Sequence, residues 1–211
     1  MKKIFLTGIL SLLMMGISFA QMPKIGITAG LNASSIIATG INNSKYKAGF
    51  QAGVVADFGI TQNFSIVPEL LFAQRGSKYE VNEPPPVGTV STTLNYLQLP
   101  VNAAYKFDVG MGSKVFVFAG PYLGYGLSGS LKSVNGSSSI KYGSNGVFKY
   151  FDFGIDIGVG YLYEKVFFKL QWNPGLININ NPELMHVDNY NENNYSVKNM
   201  NIAATIGYYF N

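Results

Sequence analysis

The chain has 211 residues, no cysteine and a formal net charge of +4. Without cysteine there is no disulfide framework and no thiol-ligated metal, and no basic cluster is present to hold nucleic acid. Charged residues make up only 12% of the chain and aromatic residues 14%, which is half the charge content of an ordinary soluble domain.

The first twenty residues are set apart. Lys2 and Lys3 precede an apolar run from Ile4 to Ile17, and Ser18 and Ala20 are small residues placed for a cut before Gln21. Residues 1–20 therefore read as a cleaved secretory signal peptide, and residues 21–211 as one barrel domain. Two of the four excess positive charges belong to this leader. After it, no apolar stretch is long enough for a transmembrane helix. Export, few charges and many aromatics together point to a transmembrane β-barrel.

Eight runs then alternate at a two-residue period, as strands do when their two faces meet different surroundings. The first covers Pro23 to Ser34, with Ile25, Ile27, Ala29 and Leu31 on one face. The second covers Tyr46 to Phe58, with Phe50, Val54 and Phe58 against Gln51 and Asp57. The third, Phe64 to Lys78, sets Ile66, Leu70 and Phe72 against Glu69 and Arg75. The fourth, Asn95 to Phe107, sets Leu97, Leu99, Val101 and Tyr105 against Gln98, Asn102 and Lys106. The fifth, Lys114 to Ser128, has Val115, Val117 and Leu123 on one face and Phe116, Phe118 and Tyr122 on the other. The sixth, Lys149 to Tyr163, sets Phe151, Phe153 and Ile157 against Asp152 and Asp156. The seventh, Val166 to Ile177, sets Phe168, Leu170 and Trp172 against Lys169, Gln171 and Asn173. The eighth, Lys198 to Phe210, carries Ile202, Ile206, Tyr208 and Phe210.

The connections alternate long and short. Ser35–Lys45, Tyr79–Ser91, Gly129–Phe148 and Asn178–Val197 are long and rich in Asn, Ser, Gly and Pro. Gly59–Asn63, Asp108–Ser113 and Glu164–Lys165 are short. This is the pattern of an all-β, eight-stranded antiparallel up-and-down barrel in the outer membrane of a Gram-negative cell, with both termini periplasmic. The polar face is built of Gly, Asn, Gln, Thr and Ser rather than Lys and Glu, which suits a crowded lumen better than a water-facing exterior. Parity then sends Asp57, Glu69, Arg75, Gln98, Asn102, Lys106, Asp152, Asp156, Lys169, Gln171 and Asn173 inward. Buried charges need partners, and hairpin neighbours suggest Glu69 with Lys106 and Asp156 with Lys169. Pro100 is expected to face the lumen in an unbroken register, at the cost of one ladder hydrogen bond. Pro68 and Pro121 face lipid, where bulges are expected.

The stretches KIGITAGLNAS, IVPELLFAQRGSKY, LNYLQLPVNAAYKF, VFAGPYLGYGLSG and FDFGIDIGVGYLYEKVFFKLQWNPGLINI resemble the PorT-like outer-membrane β-barrel family of Bacteroidota. The resemblance spans essentially the whole mature chain and implies an eight-stranded outer-membrane barrel. It implies no single activity, although one founding member is linked to protein secretion.

Catalytic constellations are missing. The single histidine, His186, lies in the last long loop near Glu183 and Asp188, and three such groups in a loop read as exposed residues rather than a metal site. No Walker loop, dinucleotide fingerprint or zinc helix occurs. The expectation is a monomeric, non-enzymatic protein without cofactor, surrounded by outer-membrane lipid. Three roles stay open: a structural or surface-interaction protein acting through its outer loops on an extracellular or envelope partner, a narrow conduit for small solutes or lipophiles, and an accessory of a secretion machine.

Overall fold

In a computed structural model, residues 22–38, 44–81, 88–134, 136–144, 146–181 and 196–211 are described. The alternating runs become antiparallel strands: β1 (Lys24–Ala38), β2 (Ser44–Gly59), β3 (Phe64–Val81), β4 (Gly88–Gly110), β5 (Ser113–Ser133), β6 (Gly136–Ile140), β7 (Phe151–Tyr163), β8 (Val166–Pro174) and β9 (Val197–Tyr209). Each strand pairs with its neighbour in the order β1, β2, β3, β4, β5, β7, β8, β9, and β9 pairs with β1 to close the ring. The barrel thus has eight strands. The short β6 is a hairpin extension on β5.

Closure removes every free edge from the wall, so the backbone groups of the ring find partners inside the ring. The seam is finished at the end that bears the short turns. There the Phe210 amide donates to the Ile25 carbonyl (2.8 Å). The Asn211 side chain then adds a further rung: its Oδ1 accepts from the Ile25 amide (2.9 Å) and its Nδ2 donates to the Pro23 carbonyl (3.0 Å).

The apolar faces point away from the axis. Phe58, Tyr105, Phe107, Tyr161, Tyr163, Phe168, Tyr208 and Phe210 ring the short-turn end, and all are exposed. Phe50, Leu97, Tyr125, Phe151 and Trp172 ring the opposite side, exposed as well. Ile, Leu, Val and Ala fill the band between them. About ten tilted strand residues give a band of about 25 Å, the height of a membrane barrel's lipid-facing surface.

Three features differ from expectation. First, β3, β4 and β5 continue well past the apolar band, and β6 is an added strand. These outer segments (Thr89 to Thr93 and Ser128 to Ser133) are mostly polar, with Val90 and Leu131 as isolated apolar residues, so they carry no sustained alternation for a sequence to display. Second, neither Pro68 nor Pro121 sits at a bulge. Pro68 pairs with Val101 and Pro121 with Ile155, and the same register resumes on the far side of each. A proline lacks only a donor, so the ladder drops rungs there without slipping. Third, the register shifts lie elsewhere, between Tyr46 and Gln51, between Asn95 and Tyr96, and between Asp108 and Gly110. Two of these mark the point where the strands leave the band. The third is in the β4–β5 turn, where Gly110, Met111 and Gly112 have positive φ. Pro100 is buried on the lumen side and keeps register with Tyr122.

Candidate functional site

The lumen is the one enclosed, chemically varied region that the ring creates, and it has three layers. An aromatic and aliphatic plug fills the short-turn end: Val55, Val67, Ala104, Phe116, Phe118, Leu162, Phe167 and Tyr209. Its packing is written into cross-strand pairs. Phe118 lies opposite Gly158, Phe116 opposite Gly160 and Phe167 opposite Gly207. A β-carbon added at these glycines would stand 2.4, 2.1 and 2.0 Å from the facing rings. Glycine here is a space-maker: each ring lies flat over the strand beside it.

A second plug fills the long-loop end, made of Ile36, Ala38, Leu94, Tyr96, Tyr142, Phe148, Ile179 and Val197. The segment after β6 folds back into the mouth to supply part of it. Tyr142 covers Gly126 and meets Tyr96 edge-on, with centroids 6.0 Å apart. Phe148 bridges to Tyr142 and Asn180. Asn181 Nδ2 donates to the Gly143 and Gly146 carbonyls, both at 3.0 Å, and pins the fold-back in place.

Between the plugs runs a polar belt. Glu69, Arg75, Gln98, Asn102, Asp152, Asp156, Lys169 and Gln171 are buried there, and the buried Asp57 and nearly buried Lys106 continue the polar set toward the short turns, among the residues of the first plug. They form three groups. In the first, Arg75 Nη1 meets Asp152 (3.3 Å) and the Tyr122 hydroxyl (3.2 Å), and its Nη2 donates to Gln98 (2.7 Å). Asn199 Nδ2 donates to the same carboxylate (3.0 Å), and the guanidinium lies 4.9 Å from the Tyr122 ring centre.

In the second group, Asp156 accepts from Asn102 Nδ2 (2.9 Å) and Asn173 Nδ2 (2.6 Å), and Asn173 in turn accepts from Asn201 (2.8 Å). In the third, Lys169 pairs with Glu69 and faces the Phe118 and Phe167 rings, while Lys106 pairs with Asp57 and donates to Ser65 Oγ (2.8 Å). The free space left beside this third group is a cavity of about 20 Å³, room for one water molecule.

The expected pairs Glu69–Lys106 and Asp156–Lys169 are therefore replaced. Register explains why. Glu69 lies at the height of Pro100, six residues along β4 from Lys106, and Asp156 lies at the height of Asn173, four residues along β8 from Lys169. At about 3.3 Å per residue these separations are roughly 20 and 13 Å. The interior of an eight-stranded barrel is only wide enough for its own side chains, so Lys169 and Arg75 meet their partners across the axis on β3 and β7, and Lys106 reaches past β3 to β2. Sequence reasoning did not single out Tyr96, Tyr122, Asn199 and Asn201, although each has lumen parity. Glu183, His186 and Asp188 lie outside the described residues. Among the described residues, no group of three or more His, Asp or Glu side chains is placed to hold a metal ion.

Comparison with known proteins bears on the whole chain. A search of curated proteins finds no match. Among solved structures, Neisserial surface protein A is similar at 13% identity over 90% of this chain and 100% of its own, with a TM-score of 0.49. The attachment invasion locus protein of Yersinia pestis, solved with the heparin analogue sucrose octasulfate, is 13% identical over 90% of this chain and 100% of its own, with a TM-score of 0.45. OprG of Pseudomonas aeruginosa is 14% identical over 89% of this chain and 96% of its own, with a TM-score of 0.48. Residues 19–181 match the family described as outer membrane protein beta-barrel domain. The protein, an eight-stranded antiparallel barrel of the outer membrane, belongs to that family.

Proposed function

We propose that this protein is a closed, non-conducting and non-catalytic barrel that holds its long loops at the cell surface for contact with an extracellular or envelope partner, with its termini and short turns in the periplasm. The observation that carries this reading is the layered lumen: two apolar plugs with a buried, hydrogen-bonded belt between them. Passing a hydrated solute would mean dismantling both plugs and stranding three buried ion pairs, each costly to leave unpartnered. That weighs against the conduit reading. The mostly polar strand extensions past the apolar band favour the surface role. Purified protein in a planar bilayer is expected to give no conductance steps above the lipid baseline; reproducible steps would overturn the closed-barrel reading. Stable copurification with periplasmic proteins after mild extraction would instead support an accessory role in an envelope machine.

A further inference from the structure

Beyond the apolar band, the outer face of β2–β5 carries an ordered set of polar side chains. The first row is Gln74, Asn95 and Ser128, joined by hydrogen bonds of 3.4 and 3.0 Å. Farther out, Lys78 on β3 pairs in register with Ser91 on β4, and Ser91 pairs with Lys132 on β5. Lys45 flanks Lys78, and Ser137 of β6 flanks Lys132. The face is set by parity: Lys78 lies three residues past the inward Arg75, and Ser91 three before the inward Leu94. An odd spacing places them on the opposite, outward side.

Directly paired residues stand about 5 Å apart, so Lys78 and Lys132 are about 10 Å apart with only the short Ser91 between them. This is a slot with an ammonium on either side and a hydroxyl at its floor. Lys45 is taken by Glu80 (2.6 Å). Lys78 and Lys132 have no ion-pair partner among the described residues. Lys47 lies close enough to feel both: burial, and then the charges of Lys78 and Lys132, push its ammonium down from the usual range. Lys78 and Lys132 flank Ser91 without a carboxylate between them, and like charges so placed repel one another; an anion in the slot removes that cost.

The height of the row selects the anion. Lys78 is six residues beyond Phe72, the last outward aromatic of β3, which on a tilted strand is about 15 Å above the apolar band. Acyl chains end well below this level, whereas the charged sugars of an outer-leaflet glycolipid occupy it. We infer that the Lys78–Ser91–Lys132 row binds the phosphorylated saccharide headgroup of an outer-leaflet glycolipid, the phosphate lying between the two ammonium groups. The assignment rests on the orientation proposed above, with the long loops outside.

The test uses the full-length barrel, wild type and the double variant Lys78→Gln/Lys132→Gln, with Lys45→Gln as control. Folding is checked by heat-modifiable gel migration, and orientation by protease cleavage confined to the long loops of intact cells, so that a failed orientation is separable from a failed site. Binding is read with rough lipopolysaccharide in mixed micelles. Wild type should bind with an affinity that falls as salt rises, the double variant should lose at least about tenfold, and Lys45→Gln should lose far less. Equal binding by the folded double variant, or by enzymatically dephosphorylated lipopolysaccharide, overturns the site. Equally tight binding of the delipidated core oligosaccharide would place the ligand in solution and overturn the lipid assignment.

Discussion

Arg75 shows what a single buried residue contributes in this lumen. Its guanidinium is held by a carboxylate, an amide oxygen and a phenol, and it also lies over the phenol ring. Removing one member of such a pair leaves a charge with no water to solvate it, which costs about 3–5 kcal/mol. Arg75→Met alone should therefore lower the denaturant midpoint in detergent sharply, as should Asp152→Leu alone. The double variant should recover much of the loss, because two apolar side chains strand nothing. A double variant whose loss equals the sum of the two singles would show that the groups do not act as a pair. The inward position of Arg75 and Asp152 is legible from parity in the sequence. Their partnership is not, because they lie on β3 and β7 and meet only across the axis. Tyr122 and Asn199 complete the group from two further strands, so no local spacing announces it.

At the scale of the strand, the sequence is informative where a strand separates lipid from lumen and silent where it does not. The stretch from Leu97 to Phe107 alternates without a break, and its register and facing are readable. The stretch from Thr89 to Thr93 lies past the apolar band, has Val90 alone among polar residues and reads as a loop, as do the serines of β6. The prolines teach the same lesson in reverse. Pro68, Val101 and Pro121 lie side by side on β3, β4 and β5, with Pro100 adjacent. The three ladders lose rungs at one height while keeping register, which leaves this patch of the wall short of hydrogen bonds. Native-state hydrogen exchange should find the amides flanking it, such as Glu69 and Asn102, opening before those of the β7–β8 ladder. Equal protection on both sides of the barrel would show that side-chain packing makes good the missing rungs.

For the whole molecule, the two plugs act in series, so either alone should hold the barrel shut. Tyr142→Ala with Phe148→Ala empties much of the loop-side plug, yet Phe116, Phe118 and Phe167 still fill the other end. Bilayer recordings of that variant should stay at baseline. Steps should appear only when Phe116→Ala and Phe118→Ala are added. Conductance from the first pair alone would mean that the aromatic–glycine layer does not seal. The seam between the first and last strands has a different consequence. Asn211 is within hydrogen-bond reach of both Pro23 and Ile25, so a few residues would join the adjacent ends of β1 and β9 covalently. New ends opened at the tight Glu164–Lys165 turn would leave the ring intact. Such a circularly permuted chain separates two things that are coupled in the natural one, the order in which strands are synthesised and the order in which they stand in the wall.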